Sequence, residues 1–217
     1  MSGDDARTAR EPEEPCGGIA GPVVLASASP RRADLLRQVA IDFEVCVSDV
    51  AEDGAVPGAH ATEVAAEHAR QKALAVASGM PGPVVIGADT VVVLGAEVLE
   101  KPESEDHARE MLQMLSGKRH TVITAVAMAI ADASDTRIVA EDQVHTRVVF
   151  RDLDGAEIDA YVATGEPMDK AGAYGIQGHG ALLVREIEGC YYNVVGLPLS
   201  RTWEMLRGLG YCDSAGA

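Results

Sequence analysis

The chain has 217 residues, a net charge of −16 and 47% apolar content, with aromatics at only 4%. That length suits one domain, or two lobes around one continuous core, and the core must be built from Val, Ala, Leu and Ile. The acidity argues against a general nucleic-acid binder, because affinity for a phosphate backbone rests on Lys and Arg; it leaves room for a small phosphorylated ligand held by a few local cations.

Residues 1–20 are acidic, contain Pro and Gly and lack periodicity, so they read as a disordered tail with no secretory signal. The run PVVLA then predicts a buried strand over 22–26. It leads into SASPRRADLL, where Pro30 suits the first turn of a helix and Leu35, Leu36 and Val39 supply the apolar face. Two arginines at a helix start oppose the backbone dipole, which points to an anion nearby. DFEVCV predicts a second strand, followed by the loop SDVAEDGAVPG.

Thr62 is a candidate cap for a helix reaching about Ala77, with Ala65, Ala69, Ala73 and Val76 on one face. VVIGADTVVVLGAEVL reads as a strand interrupted at Gly87-Ala88-Asp89, then more strand with a hairpin turn at Gly95. Pro102 and Glu103 open another helix, with Ala108, Met111, Leu112 and Leu115 on one face and Gly117 at its end. Two β-rich runs, His120 to Ala131 and Thr136 to Phe150, predict an antiparallel pair. A helix near Gly155 to Ala163, the glycine-rich AGAYGIQGHG, a strand over ALLVREIEG and a last helix from about Pro198 to Leu209 complete the chain. Strands both separated by helices and paired as hairpins predict an α/β fold with a mixed sheet flanked by helices.

No apolar run reaches the roughly 18 residues of a membrane span. Cys16, Cys46, Cys190 and Cys212 are far apart and fit reduced thiols in a cytoplasmic protein better than a disulfide framework. The six histidines show no paired spacing, which makes a zinc centre a poor fit.

Four groups of residues carry candidate chemistry. Ser27, Ser29, Arg31 and Arg32 could hold phosphate oxygens through hydroxyls, helix-start N–H groups and a bidentate guanidinium; a serine cap beside two solvated arginines is the plainer alternative. Asp89 sits in an otherwise apolar run, and a buried carboxylate demands a cation, a metal or strong hydrogen bonds; an Asp capping a strand end is the alternative. Lys72 shares a helix face with Ala65, Ala69 and Val76, while Lys101 follows a strand and Glu52 lies in an acidic loop. Each gains weight only where it meets Asp89 in space. In DKAGAYGIQG the small residues allow a tight backbone around a flat ligand, Tyr174 could stack and Gln177 could read a base edge. Cations for phosphates and carboxylates for a hard divalent cation together suit hydrolysis of a phosphate ester or anhydride.

In order along the chain, LASASPRRADLL, GADTVVVLGAEVLEKP, DKAGAYGIQG and YYNVVGLPLS resemble the Maf family of nucleoside triphosphate pyrophosphatases, from about Val23 to Leu209. The resemblance implies one domain over 21–212, with a disordered end at 213–217. Its fold would be an elongated, twisted mixed sheet flanked by helices, with two lobes and a cleft. It implies a hydrolase acting on the α–β anhydride of a nucleoside triphosphate substrate with a divalent metal, Mg²⁺ or Mn²⁺. On the family pattern Asp89 matches the catalytic acid/base, and Arg31, Thr90 and Gln177 match positions tied to substrate choice. Ser27, Arg32, Lys72 and Lys101 match polar residues around the triphosphate, and Glu52, with Asp89, falls where the metal is held. DKAGAYGIQG followed by YYNVVGLPL resembles the dTTP/UTP branch rather than the 7-methyl-GTP branch, with modified pyrimidine nucleotides as further candidates. The resemblance is compatible with a homodimer and suggests a link to septum formation and cell division. A nucleotide-sensing regulatory module is the alternative from another class, since the same anion pocket would serve it.

Overall fold

The computed structural model describes residues 23–48, 50 and 61–211. Glu52, Cys16, Cys212 and the tails at 1–20 and 213–217 lie outside these residues. The apolar run at the start becomes β1 (Val23–Leu25), buried along its length. It pairs in parallel with β2 (Phe43–Val45) on one side and the start of β3 (Val84–Leu94) on the other. A parallel strand covered on both faces needs such a continuous apolar run.

The remaining elements are α1 (Pro30–Gln38), α2 (Ala61–Ser78), β4 (Glu97–Leu99), α3 (Glu105–Leu115), β5 (Arg119–Ala131), β6 (Thr136–Phe150), α4 (Gly155–Val162), β7 (Val184–Glu188), α5 (Tyr191–Val195) and α6 (Leu199–Gly208). The strands form one open, mixed seven-stranded sheet in the order β2-β1-β3-β5-β6-β7, with β4 also on β3. β5 and β6 are the antiparallel pair expected from their adjacency.

One edge of β3 is shared. β1 occupies it at Val84–Ile86 and β4 at Val92–Leu94, while β5 runs along the other edge from Val85 to Val93. Between the two partial neighbours the sheet is split, and Asp89 and Thr90 lie at the split. The same division appears in the core. Leu25, Leu36, Ile86, Met128, Leu197 and Leu206 pack on one side of the sheet, and the alanines of α2 pack on the other. Leu99, Met111, Leu112, Leu115, Phe150 and Ile158 form a separate core in the second lobe. Burying each Leu or Met there is worth about 1.5–3 kcal/mol.

The expected break at Gly87-Ala88-Asp89 is absent: β3 runs through all three residues, opposite Ala127, Val126 and Ala125 of β5. The glycine serves packing instead. A Cβ on Gly87 would lie 2.2 Å from the Ala69 carbonyl oxygen and 2.8 Å from the Ala73 nitrogen, so α2 crosses directly over this bare stretch of strand. Ala65, Ala69 and Ala73 face Ala125, Ala127 and Ala129 of β5 within the same core, and small residues on both surfaces permit that approach.

Other boundaries move for local reasons. α2 begins at Ala61, which places Thr62 inside it. α3 begins at Glu105 rather than Pro102, because the Ser104 hydroxyl accepts the His107 N–H at 3.1 Å and sets the cap there. The segment expected as strand from Ala181 starts pairing only at Val184, since Gly178–Leu182 form a 3₁₀ turn. α5, within YYNVVG, had no counterpart in the sequence reading; at five residues it is too short to display helical periodicity.

His120 is 2% exposed. Its Nε2 contacts the Tyr174 hydroxyl at 2.7 Å, while Nδ1 has no hydrogen-bond partner among the described residues. Burial pushes the imidazole down to about 4. The neutral ring therefore contributes stability that is complete above the ordinary imidazole value near 6.5 and lost as the pH falls through about 4, a linkage of about 3 kcal/mol. Urea midpoints measured from pH 7 to 4 are expected to fall, and less steeply for His120→Asn; identical slopes would remove His120 as the cause.

Candidate active site

Period-2 alternation along β3 turns Asp89 toward α2 and Thr90 to the opposite face. Asp89, 8% exposed, meets two side chains one helical turn apart on α2. Lys72 Nζ donates to Oδ1 at 2.8 Å, and His68 Nδ1 lies 3.4 Å from Oδ2. Burial by itself would raise the carboxyl's pKa, but the His68 contact and the charges of Lys72 and Arg32 outweigh it and hold the group below the ordinary carboxylate range. At neutral pH the floor of the split thus carries an ionised carboxylate, held from α2. Each of its oxygens still has acceptor capacity for a water or a cation.

On the other face Thr90 Oγ1 accepts from Arg32 Nη2 at 3.2 Å and shares a 2.9 Å bond with Thr124 directly opposite on β5. Arg32 is itself buried. Its Nε donates to the Gly196 carbonyl at 2.9 Å and its Nη1 to the Ser27 hydroxyl at 3.0 Å. One guanidinium therefore ties the chain after β1, the middle of β3 and the chain after α5 into a single wall. Asn193 of α5 supports that wall: its Oδ1 accepts the Thr124 N–H, and its Nδ2 donates to the Val122 carbonyl and to Thr146 Oγ1.

A cleft of about 310 Å³ opens over this split. Its lining includes Ser27, Arg31, Arg32, Lys72, Asp89, Thr90, Lys101 and Gln177. Every site residue named from the sequence thus lines one cleft, apart from Glu52, which lies outside the described residues. The glycine-rich segment folds as successive 3₁₀ turns and forms the far wall. Tyr174 differs from expectation. It borders the cleft but is 5% exposed, makes T-shaped contacts with His120 and Phe150 and joins its hydroxyl to His120, so the ring is packed into the core rather than offered to a stacked ligand.

Sequence reasoning missed His68, Asn193 and the pair Asp169–Lys170. His68 was legible in principle, four residues before Lys72 and so on the same helix face. The other three stood within quoted motifs, but nothing in their spacing assigned them a partner.

Among the described residues no group of three His, Cys, Asp or Glu side chains could enclose a metal. The donor present at the floor is one carboxylate, which suits a hard cation that keeps waters and takes its remaining oxygens from a bound phosphate. Cations on several sides of an ionised carboxylate can bind a polyphosphate and direct water at it.

The family model described as Maf-like protein matches residues 22–209. The dTTP/UTP pyrophosphatase of Symbiobacterium thermophilum is 50% identical over 189 residues, 87% of this chain and 94% of that protein. Those of Dictyoglomus thermophilum and Escherichia coli O157:H7 are 46% and 49% identical, over 87% and 84% of this chain and 96% and 90% of their own lengths. An ordered match over nearly all the described residues, together with the split sheet and its cleft, places the chain in the Maf-like protein family.

Proposed function

We propose that this chain is a nucleoside triphosphate pyrophosphatase, a hydrolase acting on acid anhydrides that cleaves dTTP and UTP to the monophosphate and pyrophosphate. The observation that carries the reading is Asp89, ionised and pinned by Lys72 at the floor of a cleft also lined by Arg31, Arg32 and Lys101. The names of the relatives supply the substrate class.

The cationic side chains hold the triphosphate and offset the charge that develops on its oxygens. A water oxygen adds to the α-phosphorus, the α–β bridging oxygen leaves with pyrophosphate, and the water's proton passes to the Asp89 carboxylate. Thr90, fixed by Arg32 and Thr124, keeps the cleft wall in register with that floor. A divalent cation, Mg²⁺ or Mn²⁺, would be held by Asp89 and the substrate's own phosphate oxygens, and would supply neutralisation of the phosphoryl charge. Glu52 is the further carboxylate that the family pattern assigns to it. The free thiols Cys46 and Cys190 favour a cytoplasmic setting; no helix among the described residues is long and apolar enough to cross a membrane.

The test is pyrophosphate release from UTP, dTTP, CTP, GTP, ATP and 7-methyl-GTP with Mg²⁺ or Mn²⁺. UTP and dTTP are expected to turn over fastest. Binding of these nucleotides without turnover would replace the enzyme with a nucleotide sensor. In the same panel Gln177→Ala, at an exposed position on the cleft, is expected to lower the preference for UTP and dTTP about tenfold, the size of one or two lost hydrogen bonds. An equal loss for every nucleotide would remove Gln177 from base reading.

A further inference from the structure

The cleft is crossed by one ion pair that joins segments 138 residues apart. Arg31 Nη1, on the first turn of α1, donates to Asp169 Oδ2 at 2.8 Å. Asp169 precedes the glycine-rich turns, and both residues line the cleft. Asp169 is itself held from behind: Lys170 Nζ donates to its Oδ1 at 2.7 Å and also to the Glu166 carbonyl. The lysine stem lies against Gly175, where a Cβ would come within 2.9 Å of Lys170 Cε and 3.0 Å of Cδ. Among the described residues only Nη1 of Arg31 is engaged, so Nε and Nη2 remain available to a ligand.

Resting on the pyrophosphatase reading, we infer that Asp169 is a positioning residue for substrate recognition: buttressed by Lys170, it holds Arg31 by one nitrogen and presents the rest of the guanidinium fork to the nucleotide. The alternative is that Asp169 occupies Arg31 in place of the substrate and must be displaced. The geometry disfavours it, because Lys170 already satisfies this carboxylate and the contact takes up only one of the three guanidinium nitrogens. A guanidinium fixed at one nitrogen also loses less rotamer freedom on binding.

The experiment measures Kd for the α,β-imido analogue of UTP by calorimetry, beside kcat and KM on UTP and CTP. Asp169→Asn is expected to raise Kd and KM about fivefold, the scale of one partly exposed ion pair, with kcat changed less than about twofold and the UTP-to-CTP ratio reduced. Asp169→Glu should restore part of the loss. In an Arg31→Ala background, Asp169→Asn should add nothing further. Tighter binding by Asp169→Asn, full additivity with Arg31→Ala, or a fall in kcat at unchanged KM would each overturn the inference. Wild-type protein that binds the analogue but leaves UTP intact would refute the pyrophosphatase reading alone, because the variant cycle still reads out in Kd. Wild-type protein that does neither would overturn both.

Discussion

Asp89→Asn is expected to lower pyrophosphate release from UTP by about 10³-fold, within the range of ~10²–10⁴ typical of a positioned acid–base group. The amide keeps the volume of the carboxylate and an oxygen for Lys72 Nζ, now 2.8 Å from Oδ1, but it cannot take a proton from water at neutral pH. Far-UV circular dichroism and thermal unfolding separate loss of chemistry from loss of fold, and binding of the imido analogue separates it from loss of affinity. A variant that retains near wild-type turnover would take Asp89 out of the reaction, and the proton acceptor would have to be sought elsewhere in the cleft.

The second large effect concerns stability. Lys72 and Asp89 are 5% and 8% exposed, so removing the lysine takes a directly bonded cation from a carboxylate that has little water to replace it. Lys72→Met is expected to destabilise the fold by about 3–5 kcal/mol, as read by urea unfolding. His68 and the charge of Arg32 still favour the ionised carboxyl, which places the result toward the lower end. The double variant Lys72→Met/Asp89→Leu should recover most of the loss, because two apolar groups in place of a buried pair are often neutral or stabilising. If the double variant is as unstable as the sum of the single changes, the pair is not coupled and the electrostatic account of the cleft floor fails. With His68 and Arg32, the lysine holds Asp89 ionised, so the acid limb of the pH–rate profile of Lys72→Met should lie at a higher pH than that of wild type. Without that lysine, burial is less opposed, the carboxyl's pKa rises, and the base form appears only at a higher pH.

Much of this was legible one element at a time. The apolar runs that became β1, β5 and β6, the proline at the start of α1, and the helical spacing of Ala108, Met111, Leu112 and Leu115 all express local rules of period and capping. Asp89 stood out because a carboxylate in an apolar strand must find a partner. Its neighbours, by contrast, were misread as a strand break. Gly87 lowers strand propensity on its own, and only the passage of α2 over it shows why a bare backbone is required there.

From sequence alone, then, came most of the elements, the acidic balance and a set of candidate residues gathered by resemblance to one family. Their meeting was decided in three dimensions. β1 and β4 share one edge of β3 and leave Asp89 and Thr90 at the gap, and helical geometry adds His68 to Lys72 above it. The ion pair of Arg31 with Asp169 depends on two segments 138 residues apart. Period and propensity report what a residue does to its own segment. Partners far along the chain are chosen by how the segments pack, and that information resides in no single stretch of sequence.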